Sequence, residues 1–429
     1  MRKLVVLILF AAALRAQNTN NDSSCDIGVA PAATLLLPYF EVETAERGIT
    51  TIFSVTNVSA QPHVAHVTLW TDYDYPALSF HLYLTPYDVQ PVNLYDVIVD
   101  GVIAADAGPI GSSCGELPRT VPPQLLGEAR LALQIGTTAT CTGSSQARRI
   151  GSIHGTLAAG YATIDVVKDC SAISPPSQIY FRDLLLFDNV LIGDYETIDP
   201  AKHAAGGTPL VHIRAVPEGG PAGASAVPTP LQTTFYSRYL GELAPGFDRR
   251  QPLPATFAAR FVQGGGFETR FKIWREGSRG VLQGCAGYQG SGGFAPTREN
   301  VGNSFMRPTE IVRFDEHENS FVTQFFGEFP FPSTVFPAAS ARRSDSSDFP
   351  PFASPADDRA GWIYLNLDSQ LGARGPELPS QNWVVTSLSV PDLFQVDMDA
   401  AWLGNGCTPP IRNTEVGTVG VIGPAGRNP

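Results

Sequence analysis

Glycine and proline are spread so evenly through this chain that a long helix has almost nowhere to form. The sequence holds 41 glycines and 36 prolines, and they interrupt any 3.6-residue periodicity. Between the interruptions the side chains alternate with period two. Thr51, Phe53 and Val55 point one way, and Ile52, Ser54 and Thr56 the other. Ala65, Val67 and Leu69 alternate with His66, Thr68 and Trp70; Phe80, Leu82 and Leu84 alternate with His81 and Tyr83. Turn-rich segments such as Asp72 to Pro76 separate these runs. Short alternating runs between turn signals predict an all-β chain of antiparallel, sandwich-like modules with long loops.

The N-terminus has the order of an export signal. Arg2 and Lys3 precede an apolar run from Leu4 to Leu14, and Ala16 leads into a polar stretch. The run is too short to span a bilayer, so residues 1–16 are read as a cleaved signal peptide and the mature protein as secreted, periplasmic or extracellular. No later segment predicts a transmembrane helix. Loss of Arg2, Lys3 and Arg15 with the leader takes the net charge from −12 to −15. A chain this acidic, without a basic stripe, does not fit nucleic acid or an anionic membrane surface.

Six cysteines follow the leader: Cys25, Cys114, Cys141, Cys170, Cys285 and Cys407. An even number in an exported chain predicts disulfides, and no close C-x-x-C pair supports zinc. If bridges stay within modules, Cys285 pairs with Cys407 and the first module has three connectivities. Cys114 with Cys141, which closes a local loop, and Cys25 with Cys170 are the favoured pairs.

Two halves of the chain resemble each other. Ala33-Thr34-Leu35 matches Ala255-Thr256-Phe257, Thr51-x-Phe53-x-Val55 matches Thr269-x-Phe271-x-Ile273, and Gly160-Tyr161 matches Gly361-Trp362. The order is kept and so is the alternation, which suggests an internal duplication. The implied division is a module over 25–215, a Pro/Gly/Ala linker over 216–230, a second module over 231–407 and a loose tail over 408–429. Phe53, Val55, Val67, Leu69, Leu82, Phe271, Ile273, Ile363 and Leu365 are the expected core.

The runs LLLPYFEVE, TTIFSVTNVS, AHVTLWTDYDYP, YLTPYDVQ and GYATIDVV resemble a group of uncharacterised exported bacterial proteins. The resemblance covers chiefly the first half. It implies the compartment and a β fold, and brings no activity and no site residues.

Motifs for chemistry are sparse. Gly111-Ser112-Ser113-Cys114-Gly115 fits G-x-S-x-G, but a nucleophile elbow needs a helix directly after it. Prolines 118, 122 and 123 oppose that helix. His63 and His66 fall on opposite faces of one strand and cannot share a metal. Asp315-Glu316-His317-Glu318 reads as a solvated turn. Asp72 and Asp74, or Asp188, Asp194 and Asp199, could help hold Ca²⁺ in a loop, but none follows an EF-hand spacing and turn-forming roles fit better. No cofactor is expected and no catalytic residue is assigned.

One constellation stands out. If residues 64–71 and 79–85 form a hairpin, burying Val67 and Leu69 with Phe80, Leu82 and Leu84 gathers His66, Thr68, Trp70, His81 and Tyr83 on the other face. There Trp70, His81, Tyr83 and His66 could stack a glycan or dock another exported protein. Coverage of this face by the second module is the competing expectation. The function that follows is a non-catalytic binding or structural protein of the cell exterior. The alternative is an exported hydrolase, acting on polysaccharide, with a site dispersed in sequence.

Overall fold

The computed structural model describes residues 30–103 apart from 73, then 114, 117–136, 155–215 apart from 176, 234–240, 248–276, 308–323, 339–344, 359–370, 377–378 and 380–403. The expected signal segment, linker and tail, together with Ser113 and cysteines 25, 141, 285 and 407, lie outside them.

The first module carries strands β1 (Thr34–Glu43), β2 (Thr50–Asn57), β3 (His63–Thr71), β4 (Pro76–Leu84), β5 (Val89–Asn93), β6 (Leu157–Val167), β7 (Leu191–Asp199), β8 (Ala204–Pro209) and β9 (Val211–Ile213). They form two antiparallel sheets, ordered β4-β3-β6-β1-β9 and β5-β2-β7-β8. The second module carries β10 (Thr256–Val262), β11 (Glu268–Arg275), β12 (Pro308–Asp315), β13 (Ser320–Thr323), β14 (Ala339–Arg343), β15 (Ala360–Gln370), β16 (Glu377–Leu378), β17 (Asn382–Val390), β18 (Phe394–Asp399) and β19 (Ala401–Trp402). Its sheets are ordered β13-β12-β15-β10-β19, with β16 beside β15, and β14-β11-β17-β18.

These orders are the same once β16 is set aside. The five-strand paths match strand for strand, β1 with β10 through β9 with β19, and so do the four-strand paths. Register matches too. Thr34 pairs with Asp165 as Thr256 pairs with Asn366, and Phe40 pairs with Gly160 as Phe261 pairs with Gly361. The difference is one extra residue in β1, a bulge between Leu37 and Phe40. Past it, Glu41 corresponds to Val262. Thr51 Oγ1 donates to the Glu41 carbonyl and accepts from the Glu41 amide, both at 3.2 Å. Thr269 Oγ1 does the same with Val262, at 2.6 and 2.9 Å. The residues matched in the sequence thus hold equivalent places in two copies of one topology, and the same threonine links the two sheets of each copy.

Alternation explains the cores. Leu35, Leu37, Val67, Leu69, Phe80, Leu82 and Ile164 point inward and meet Phe53, Val55 and Tyr195 of the facing sheet. In the second module Phe257, Phe261, Ile363 and Leu365 meet Phe271, Ile273 and Val384. All nine expected core residues are buried. Each such side chain contributes roughly 1.5–3 kcal/mol.

Helices are few, but one stands where prolines were read as opposing it. Helix α1 (Pro123–Ile135) starts with Pro122 at its N-cap and Pro123 in its first turn. Proline lacks only a donor that the first turn leaves unpaired anyway, so the pair opens the helix. Ala129, Ala132 and Leu133 seal one end of the first core. The helix begins eight residues after Gly115, so it does not build an elbow on that motif.

The cysteine pairing differs from the favoured one. Cys114 is bonded to Cys170, not to Cys141. The bridge spans 56 residues, because the long excursion after β5 returns beside the end of β6. Sequence proximity had pointed to the shorter loop. With Cys170 occupied, its proposed bond to Cys25 is excluded as well.

Gly160 and Gly361 are required by close approach. A Cβ on Gly160 would lie 1.9 Å from the Trp70 carbonyl oxygen, and one on Gly361 would lie 2.0 Å from that of Phe314. Backbone cannot step aside as a flexible side chain does. Gly160→Ala should lower the urea-unfolding free energy by about 1–3 kcal/mol. Gly127, exposed in α1 with nothing within 4 Å of its missing Cβ, gives the opposite sign. Gly127→Ala should raise stability by about 0.5–1 kcal/mol.

Candidate functional site

The hairpin of β3 and β4 has the expected register. Val64 pairs with Tyr83, His66 with His81, Val67 with Phe80 and Thr68 with Ser79. His66, Thr68, Trp70, His81 and Tyr83 therefore share the face away from the first core, as the alternation requires. That face is not open. Trp70 is fully buried, stacked on Tyr161 at 5.8 Å and tilted against Tyr239 at the same distance. Its Nε1 donates to Thr163 Oγ1 at 3.0 Å. His66 is buried beside His81, Nδ1 to Nε2 2.9 Å, with the Tyr180 ring 5.0 Å away. Tyr83 is half-buried and packs against the larger core.

Among the described residues the face is covered by the π-helical turn Tyr180–Leu184, the short helix α2 (Ser237–Leu240), and β11, whose Trp274 meets Tyr161 edge-on at 5.9 Å. The expectation of an exposed aromatic face is corrected for Trp70, which is core. The first module's larger sheet is buried on both sides. Aromatic side chains therefore mark its outer face as surely as its inner one.

At the centre of this junction lies a cluster of charge. Asp165, on β6 directly opposite His66, accepts from Thr34 Oγ1 at 2.5 Å, Tyr180 Oη at 2.7 Å and Tyr236 Oη at 2.8 Å. Arg250 donates from Nε to Thr34 Oγ1 at 2.5 Å and from Nη2 to the Leu186 carbonyl at 2.8 Å. Its Nη1 meets Asp248 at 3.3 Å, and its Nε lies 4.0 Å from Asp165. Asp248 in turn accepts from the Tyr236 amide at 2.9 Å. Asp165, Asp248 and Arg250 have no solvent exposure. Burial pushes the Asp165 carboxyl up, opposed by Arg250 and the three hydroxyls. Burial alone would lower the Arg250 guanidinium, but Asp248 and Asp165 outweigh it and raise it. No path for a substrate leads to these atoms through the rings packed on them, so the cluster acts as a joint.

The sequence reading missed this joint. One signal was present: Asp165 interrupts the apolar run of GYATIDVV at a mid-strand position, where a charge needs a partner. Its cation lies 85 residues downstream in FDRR, beyond the reach of local pattern.

Between the modules a small cleft, with about 30 Å³ of room for water-sized groups, opens between β1, β7, β11 and β17. Glu41, Lys202, Glu268, Arg270, Lys272 and Gln395 line it, with the hydroxyls of Tyr39, Thr197 and Ser387. Arg270 lies 3.4 Å from Glu268 and 4.0 Å from Glu41. Lys272 is bonded to the buried Asp397 at 2.5 Å. Burial, and then the Glu41 carboxylate, push the Tyr39 phenol up. The wall thus offers fixed donors and acceptors of both signs at a domain boundary, a common setting for ligand sites.

The remaining candidates have structural roles. Asp315 accepts from the amides of His317 and Asn319 in the β12–β13 turn. Asp74, in a left-handed turn conformation, accepts from Tyr161 Oη. Asp194 accepts from Ser54, and Asp199 caps Lys202. Among the described residues no three acidic, histidine or cysteine side chains converge as a metal site.

No family model matches the chain, and no curated protein matches it. Among solved structures, Cowpea mosaic virus top component, a naturally occurring empty particle, aligns over 95% of this chain and 98% of that chain. Identity is 9% and the TM-score 0.14, too low to bear on fold or function.

Two outcomes test the junction. Arg250→Ala leaves Asp165 and Asp248 buried without a cation and should cost about 3–5 kcal/mol in urea unfolding. Arg182→Ala, which removes an exposed pair with Asp183, should change stability by less than about 0.5 kcal/mol. The second concerns His212 on β9. Burial lowers its pKa from 6.5 to about 4, and its Nε2 accepts from the Gly193 amide at 3.2 Å. The folded state binds this proton more weakly than the unfolded one. Its contribution is therefore intact above pH 6.5 and lost as pH falls towards about 4. Asp399, pushed by burial to about 6, acts with the opposite sign, so the difference between variants is the informative quantity. The stability gap between wild type and His212→Gln should shift by about 3 kcal/mol in favour of the variant between neutral pH and pH ~4.

Proposed function

We propose that this chain is a non-catalytic binding protein of the cell exterior that holds a polar, hydroxyl-rich ligand, a glycan, in the cleft between its two modules. The observation that carries the reading is the cleft itself, where Arg270, Lys272, Lys202 and Glu268 stand with several hydroxyls at a module boundary. Such a wall suits a ligand that both donates and accepts hydrogen bonds. The export signal and the resemblance to exported bacterial proteins support the location, periplasmic or extracellular.

The hydrolase alternative would use two carboxylates across a cleft, one protonated and one ionised. Glu41 and Glu268 do flank this cleft, but both are held by the same guanidinium. That arrangement favours anchoring over proton donation.

The test uses the mature, disulfide-intact protein on an array of bacterial surface polysaccharides, followed by calorimetry on the hits. Arg270→Ala should weaken binding about tenfold, or ~1.4 kcal/mol, with no glycan cleavage seen by mass spectrometry. Cleavage with turnover would assign the cleft to a hydrolase. Binding unaffected by Arg270→Ala would place the ligand elsewhere.

A further inference from the structure

The duplication makes one surface of the second module conspicuous. In the first module β7 and β8 overhang the facing sheet, and their inner side is covered by the outer side of β18. Gln395 and Asp397 come so close to Gly206 that a Cβ there would lie 2.5 and 2.9 Å from their side chains. Lys272 sits over the Tyr195 ring at 5.5 Å. The Asp392 amide donates to the Lys202 carbonyl at 3.1 Å.

The equivalent overhang of the second module is β17 and β18. Here Tyr195/Thr208, Thr197/Gly206 and Asp199/Ala204 become Thr386/Met398, Leu388/Val396 and Val390/Phe394. Apart from Tyr195, which becomes Thr386, the surface has turned from small or polar to large and apolar. Among the described residues nothing covers it. Phe394, Val396 and Met398 are 41, 43 and 42% exposed, and Leu393 beside them is 76% exposed. Phe267 packs edge-on against Phe394 at 6.4 Å and is exposed as well. Among the described residues β18 is an edge strand, paired on one side by β17. An apolar edge of this kind associates unless something covers it.

We propose that this overhang is an isologous interface, closed by the same strip of a second copy of the chain. The surface that covers the first overhang is the outer side of β11, β17 and β18, and it is consumed within the chain. Its counterpart on the first module, the outer side of β2, β7 and β8, presents exposed Asp194 and Glu196 and does not match an apolar strip. The overhang matches itself. A twofold axis sets Phe394, Val396 and Met398 of one copy against those of the other, and twofold pairing is the commonest closed assembly. The acidic side chains of β18 do not oppose it. Asp397 and Asp399 point to the opposite face, where Lys272 and Trp383 hold them. The carboxylates of β18 therefore stay out of the contact, and Asp392 beside Leu393 is paired with His203 at 3.1 Å.

Sedimentation velocity on the mature, disulfide-intact protein tests this from micromolar to hundreds of micromolar concentration. The wild type should pass from the chain mass to twice the chain mass. Val396→Asp should weaken the dimer at least tenfold. Leu393→Asp, at a position too exposed to support the fold, should weaken it in the same direction and stands in if Val396→Asp fails to fold. A wild type that stays monomeric throughout overturns the proposal. So does a dimer that neither variant weakens. Val396 lies on the far side of its sheet from the inter-module cleft. Glycan binding in Val396→Asp should therefore stay unchanged, and the two readings can fail separately.

Discussion

Arg250 has no contact with water, and a buried guanidinium is tolerated only when every face of it is answered. Here the answers come from distant parts of the chain. Thr34 lies on β1, Leu186 follows β6, and Asp248 lies in the segment leading to the second module. Asp165 anchors the other side through Tyr180 and Tyr236. Tyr236, whose ring lies under the Arg250 guanidinium, packs through Phe181 on Tyr239, the ring that covers Trp70. The joint therefore ties the position of α2 and the entry to the second module to the outer face of the first. An apolar contact would slide more easily, whereas this set of directed bonds admits one arrangement.

The two modules show what duplication keeps and what it releases. Kept are the features that set sheet geometry: the threonine linking the sheets, the glycine beneath a crossing carbonyl, and an aromatic pair stacked beside that glycine. Trp70 on Tyr161 has its counterpart in Phe314 on Trp362, stacked at 3.8 Å. Released are positions that serve the contact between modules. Asp165 corresponds to the neutral Asn366, and the small residues of β8 correspond to the bulky apolar ones of β18. The first copy is shaped to be covered by the second. The second copy presents at the same place an exposed apolar strip, Phe394, Val396 and Met398.

The β architecture, the duplication and the core were legible because they depend on patterns of short range. Phe53 and Val55, or Phe271 and Ile273, alternate with polar neighbours over a few residues, and a two-residue period cannot be mistaken for a helical one. The hairpin register followed from the same rule. The Cys114–Cys170 bond, the Arg250 joint and the cleft were not legible, since each depends on which distant segments meet. Helix α1 was hidden for a different reason. Its prolines were weighed as breakers, although their position at the start of the apolar spacing Leu126, Ala129, Leu133 makes them initiators.

The aromatic face of β3 and β4 shows where local pattern stops being informative. A strand with apolar residues on one side and Trp, Tyr and His on the other reads equally well as a binding surface and as a sheet buried on both sides. What separates the two is the presence of another layer, and here that layer combines the turn Tyr180–Leu184 with α2 and β11 from far downstream. The hint lay in the strand between them. A solvated carboxylate costs little on an open face, but Asp165 stands among Thr163, Trp70 and Tyr161, none of which reaches water. Its hydrogen-bonding demand is met because Tyr180, Tyr236 and Thr34 converge on it. A lone carboxylate amid large aromatics on the presumed outer side of a sheet is thus itself an argument for a further layer, and in this chain that layer is the one that closes the molecule.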